Sequence, residues 1–198
     1  MFAGVVRNPA RRVYSVLASQ NSGRAIGAHY SFRTASTFYV PTVDQNVAMP
    51  VFFPEHAEIS TLCVEVSTAQ ASSLGRMALY RITPTYIPGD LLGETATFGC
   101  DTTGVKSVDL GASVSVPHGW YYIVLNVDTA SIAVRGLSGA TDISSGGPRV
   151  LSSYSGAELR RLRTYTFGAF QSDESSEVWS SGTTGSAPLL TATNTSWS

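Results

Sequence analysis

The sequence predicts an all-β protein built as an antiparallel sandwich or barrel. Three observations carry this. Short apolar or alternating runs recur between residues 36 and 137, each bounded by Gly, Pro, Asn or Thr turn signals. One of them, residues 120–127, is almost unbroken in its apolar character, as expected of a central strand covered on both faces. Hydrophobic residues make up 43% of the 198, enough for one core, while charged residues reach only 14%, well below the usual quarter. So little charge fits either uncharged polar loops or a subunit whose surface is largely covered by partners.

Residues 1–33 read as a basic N-terminal arm. No Asp or Glu precedes Asp44, whereas Arg7, Arg11, Arg12, Arg24 and Arg33 all fall in this stretch. Asn8-Pro9 is a helix-start signal with Val13, Val16 and Leu17 on one side, although the same run also reads as extended. The five arginines are the candidate assembly or anchoring residues. Their spacing is loose and the arm has no Lys, so an acidic protein surface is the expected target rather than nucleic acid.

The strands then follow in order. Residues 38–40 are short, and residues 48–53 contain Pro50, which predicts an edge strand or a strand entry. In residues 58–67, Leu62, Val64 and Val66 share one face with Ser60, and Thr61, Glu65 and Ser67 take the other. Further strands are expected over residues 74–83, 92–99, 105–114, 120–127 and 131–137, with a Pro88-Gly89 turn and a Thr103-Gly104 turn between them. Gly104 and Gly119 each precede a strand, where a positive φ costs Gly nothing. In residues 120–127, Tyr121, Ile123, Leu125 and Val127 form one side and Trp120, Tyr122 and Val124 the other.

The Ser/Gly loop over residues 139–147 is read as the end of the sandwich, which therefore spans residues 34–140. Residues 141–198 are a C-terminal extension. Ser155-Gly-Ala-Glu158 is a capping box and predicts a two-turn helix over residues 156–163, followed by an extended piece over 164–170. Residues 171–198 are rich in Ser and Thr and carry Asp173, Glu174 and Glu177 but no Lys or Arg. Neither this acidic tail nor the basic arm has enough regularly spaced apolar surface to order itself, so neighbouring subunits are expected to order both.

Several motifs resemble a module of structural proteins from tailed bacteriophages and gene transfer agents. They are Arg76-Met-Ala-Leu-Tyr80, Pro88-Gly-Asp-Leu91, Thr103-Gly-Val-Lys106 and His118-Gly-Trp-Tyr-Tyr-Ile-Val-Leu125, with Glu65-Val-Ser-Thr68 and Tyr165-Thr-Phe-Gly168 beside them. The likeness covers roughly residues 34–170. It departs at His118, where Pro is common, and in the shifted aromatic pair at 120–121. The resemblance implies a jelly-roll-like β-sandwich in a virion, as a fibre, spike or capsid/tail decoration protein. It implies other virion proteins as partners, a homo-oligomer with a trimer as the first expectation by analogy, and no catalytic residues. Fold-level analogy alone does not assign a role.

The chain's own chemistry points the same way. His29, His56 and His118 are scattered, and His56 with Glu58 makes two potential ligands without a third, so neither metal nor cofactor is expected. Nucleotide-binding and hydrolase loops are absent from the sequence. Asp90, Glu94, Asp101 and Asp109 lie in the turn-and-strand region without any spacing that pairs two of them. The chain contains no apolar run near the ~20 residues that span a bilayer, and residues 1–20 show no secretory pattern, so cytoplasmic synthesis is expected. Cys63 and Cys100 neither demand nor exclude a disulfide. Aromatic rings are the remaining lead, because their faces stack on sugars. Tyr86, beside a turn, and Tyr121 are the candidate glycan-binding residues, with host-surface polysaccharide the expected ligand; Trp120 and Tyr122 are read as core. The alternative readings are a carbohydrate-binding module or carbohydrate-active enzyme domain, and a soluble ligand-binding protein unrelated to viruses.

Overall fold

The computed structural model of the protein describes residues 25–27, 37–53, 56–137, 160–181 and 187–197. Among these residues none is helical, and the strands form two antiparallel sheets packed as a β-sandwich. The strands run β1 (Ala25–Gly27), β2 (Thr37–Tyr39), β3 (Gln45–Phe53), β4 (Ala57–Thr68) and β5 (Leu74–Ile82). They continue with β6 (Pro88–Glu94), β7 (Phe98–Gly99), β8 (Gly104–Val116), β9 (Gly119–Val127) and β10 (Ala133–Leu137). The last are β11 (Arg161–Thr164), β12 (Ser180–Ser181), β13 (Ala187–Pro188) and β14 (Leu190–Trp197). Sheet A has the order β1-β14-β4-β10-β13, with β8 on β4 and β2 on β10. Sheet B has the order β12-β11-β3-β9-β5-β6, with β7 on β5. The chain changes sheet at most connections, which gives the jelly-roll-like arrangement.

Period-two patterning builds the core between the sheets. From sheet B come Val47, Met49, Val51 and Phe53 of β3, Met77 and Leu79 of β5, and Tyr121, Ile123, Leu125 and Val127 of β9. They meet Ala57, Ile59, Leu62, Val64 and Val66 of β4. Strict alternation would set Ser60 on the face of Leu62. The register between β4 and β8 instead shifts between Ile59 and Thr61, so both Ile59 and Leu62 face the core and Ser60 does not. Gly104 and Gly119 open their strands with φ of 114° and 156°, as their positions predicted.

Five expectations change. The sandwich does not end at residue 140, because β11 and β12 extend sheet B while β13 and β14 join sheet A. β14 lies between β1 and β4, so the chain's own sheet orders this part of the tail. The described part of the expected helix, residues 160–163, is extended and pairs with β3, since Arg161 to Thr164 find ladder partners from Ala48 to Gln45. Its first residues, 156–159, lie outside the described residues, as do the 139–147 loop and Arg7, Arg11, Arg12, Arg24 and Arg33. Finally, Pro88-Gly89 belongs to β6 rather than to a turn, and the expected strand over 92–99 divides into the end of β6 and β7. β11 pairs with residues 45–48 of β3, and Pro50 lies beyond that stretch, where among the described residues β9 alone pairs with the strand. Both cysteines are free; burial pushes the Cys100 thiol up to about 11.

Candidate binding surface

The outer face of sheet B carries a group of aromatic side chains, Phe52, Tyr80, Trp120 and Tyr122. Strand β9 is apolar on both sides, so its outward residues need a second cover. That cover is residues 165–179. Ala48, Ala78, Tyr80, Tyr122 and Val124 pack beneath Phe170, with Trp179 against the same cluster. The Tyr80 hydroxyl donates to the Gln171 carbonyl at 2.7 Å. Burial, first of all, pushes the Tyr80 phenol well above its ordinary range.

The covering segment is also stitched to the sheet edge. Leu91 N–H donates to the Ser172 carbonyl at 2.9 Å, and Glu174 N–H to the Gly89 carbonyl at 3.0 Å. The Glu174 side chain is fully buried and pairs with Arg163, which also meets Glu177 at 2.9 Å. Two of the three tail acids are thus committed to a cation in their own chain.

At the Gly119 end of this face the cover stops and an aromatic cluster begins. The Phe52 ring lies 5.1 Å from Trp120 and 5.2 Å from His118, edge-on to the latter. Phe52 and Trp120 are half-buried and His118 is exposed. Trp120 is therefore not at the centre of the sandwich, as its strand suggested: it is the second residue of β9 and sits at the rim. Tyr122, two residues on, is buried as expected.

Tyr86 stands near this rim in a built conformation. Its φ is 60°, unusual for a non-glycine residue. Its N–H donates to the Thr83 carbonyl at 3.0 Å, and its own carbonyl accepts from the Tyr122 hydroxyl at 2.9 Å and from Arg161 Nε at 3.2 Å. The ring is half-buried. Tyr121, the other predicted sugar-stacking residue, points the opposite way. It is only 4% exposed, packs on Phe53 inside the core, and its hydroxyl is held by the Pro117 carbonyl. It offers no face to a ligand, because alternation along β9 sets it on the inner side with Ile123. Phe52 was not singled out from the sequence, and His118 was noted only as a scattered histidine and as a departure from the resembled motif; the pairing of Phe52 with Trp120 across β3 and β9 brings them together.

Other constellations are structural in geometry. Ser115 Oγ lies 2.7 Å from His56 Nε2, and Glu58 approaches the same nitrogen at 3.8 Å. A serine–histidine–acid relay needs its carboxylate on the opposite ring nitrogen. Among the described residues, no three His, Cys, Asp or Glu side chains gather as metal ligands. Asp90, which no spacing paired with another acid, stands opposite Asp173 in a backbone bridge. Hydrogen bonds from Ser175 hold the Asp173 carboxyl below its ordinary range. No protein-family model matches the chain, and no curated protein matches it.

Proposed function

We propose that the chain is a non-enzymatic structural subunit of a tailed-phage-like virion, a fibre, spike or capsid/tail decoration protein, whose aromatic rim binds host-surface glycan. The observation that carries the binding role is the partly exposed cluster of Phe52, Trp120 and His118, with Tyr86 held nearby in a strained backbone. Ring faces stack on the C–H faces of sugars, and His and Tyr tips supply hydrogen bonds. Of the acids in the turn-and-strand region, Glu94 pairs with Arg76, Asp90 lies beside Arg81, and Asp109 accepts from Thr61. The virion setting rests on the motif resemblance, and the basic arm with Arg7, Arg11, Arg12, Arg24 and Arg33 is the proposed anchor to other virion proteins. The homotrimer rests on analogy.

Mass spectrometry and immunogold labelling of purified particles test the virion reading; absence of the chain from the particle ends it. A glycan array comparing the full chain with Trp120→Ala tests the rim. Binding retained by the variant would remove the rim from the reading. Turnover of a polysaccharide, lost on changing one Asp, would replace it with a carbohydrate-active enzyme.

A further inference from the structure

A row of polar side chains crosses the outer face of sheet B, at the end away from Gly119. Arg163 stands opposite Asn46 across β11 and β3, and Arg76 stands opposite Asn126 across β5 and β9. Asn126 Nδ2 donates to Asn46 Oδ1 at 2.7 Å and to the Tyr165 carbonyl at 3.1 Å. These two bonds set the amide orientation, since turning it would aim Oδ1 at the Tyr165 carbonyl oxygen. Glu174, from the covering segment, reaches the same row through Arg163. Asn46, Asn126 and Glu174 are all 0% exposed.

Four buried atoms of this row have no hydrogen-bond partner among the described residues: the donors Asn46 Nδ2 and Arg76 Nε, and the acceptors Asn126 Oδ1 and Glu174 Oε1. Leaving them unpaired in a dry interior would cost free energy comparable with a domain's whole stability. We propose that the row is a binding site for resident water, one or two molecules, bridging sheet B to the covering segment. A water molecule offers two hydrogens and two lone pairs, the complement of two acceptors and two donors. A metal cation would meet the N–H groups of Asn46 and Arg76, and an anion would meet the Glu174 carboxylate. Buried waters typically make about three such bonds. The cover over sheet B is then held by an apolar contact at Phe170 and by a hydrated polar joint at Glu174.

Water–protein NMR cross-relaxation on the ¹⁵N-labelled full chain tests the site. The expected result is a long-lived water contact at the Asn46 side-chain amide, together with solvent density between Asn46, Asn126 and Glu174 in an atomic-resolution structure. The contact should vanish in Asn46→Leu. If that variant does not fold, the wild-type measurements still decide. Direct Asn46 Nδ2–Glu174 Oε1 and Arg76 Nε–Asn126 Oδ1 bonds, with no water contact at the Asn46 amide, would overturn the proposal.

Discussion

The two outer faces of the sandwich solve one problem in opposite ways. On sheet A many outward residues are polar and satisfy one another across strands, beside the exposed Phe38 and Val105: Thr61 donates to Asp109 at 3.0 Å, Cys63 meets Ser107 at 3.3 Å, and Arg135 pairs with Glu65 at 2.8 Å. That face can meet water. On sheet B the outward residues of β9 and β5 are apolar or aromatic, and the chain returns through residues 165–179 to cover them. Alternation along a strand thus decides whether a face needs a cover, but not where the cover comes from.

The comparison breaks first at Tyr80. If the covered face is true core, Tyr80→Ala costs about 3–5 kcal/mol, as much as Phe53→Ala between the sheets. Urea denaturation with an unchanged slope measures both. A loss below about 1 kcal/mol for Tyr80→Ala alone would class the face as ordinary surface.

Ion pairs sharpen the contrast. Arg163→Met leaves the buried Glu174 carboxylate without its cation and should cost about 3–5 kcal/mol. Replacing both, as Arg163→Met with Glu174→Leu, should recover most of that. On sheet A, Arg135→Met removes a pair whose side chains are about one-third exposed, and the urea midpoint should barely move. Equal effects at the two sites would mean that the cover over sheet B admits solvent freely.

The rim separates binding from packing. Trp120→Ala should cost about 1–2 kcal/mol, because a half-buried ring has less to lose than a core one. Melting stays cooperative while glycan binding is lost. A penalty as large as that of Tyr80→Ala would return Trp120 to the core.

Alkaline pH has the most graded effect. Burial raises the phenol pKa of Tyr39, Tyr80, Tyr121 and Tyr122 above the ordinary 10.0. A raised native pKa means that the unfolded chain releases its proton first. The stability is therefore whole below pH 10 and drains as pH rises toward the native values. Absorbance at 295 nm should show these phenols ionising together with unfolding; ionisation of all nine tyrosines before loss of structure would contradict their burial.

Much of this was legible in the chain. The alternation of Leu62, Val64 and Val66, the two-sided apolar run of β9 and the turn glycines are local signals, because a strand's side chains point to opposite faces at every step whatever surrounds them. The tail was misread for a physical reason. Its Ser/Thr-rich composition cannot order itself, yet Leu190 and Ala192 reach the core between the sheets as soon as β4 offers a ladder. The candidate surface was half legible: Tyr86 stands out as an aromatic beside a turn, whereas Trp120 was read as core and Phe52 and His118 join it only when β3 and β9 pair. What the sequence determined by itself was that β9 must be covered twice. That Phe170, Trp179 and the Arg163–Glu174 pair do the covering was decided by the tertiary structure alone. Apolar burial carries no address in the chain, and Tyr80 finds its hydrogen-bond acceptor 91 residues away.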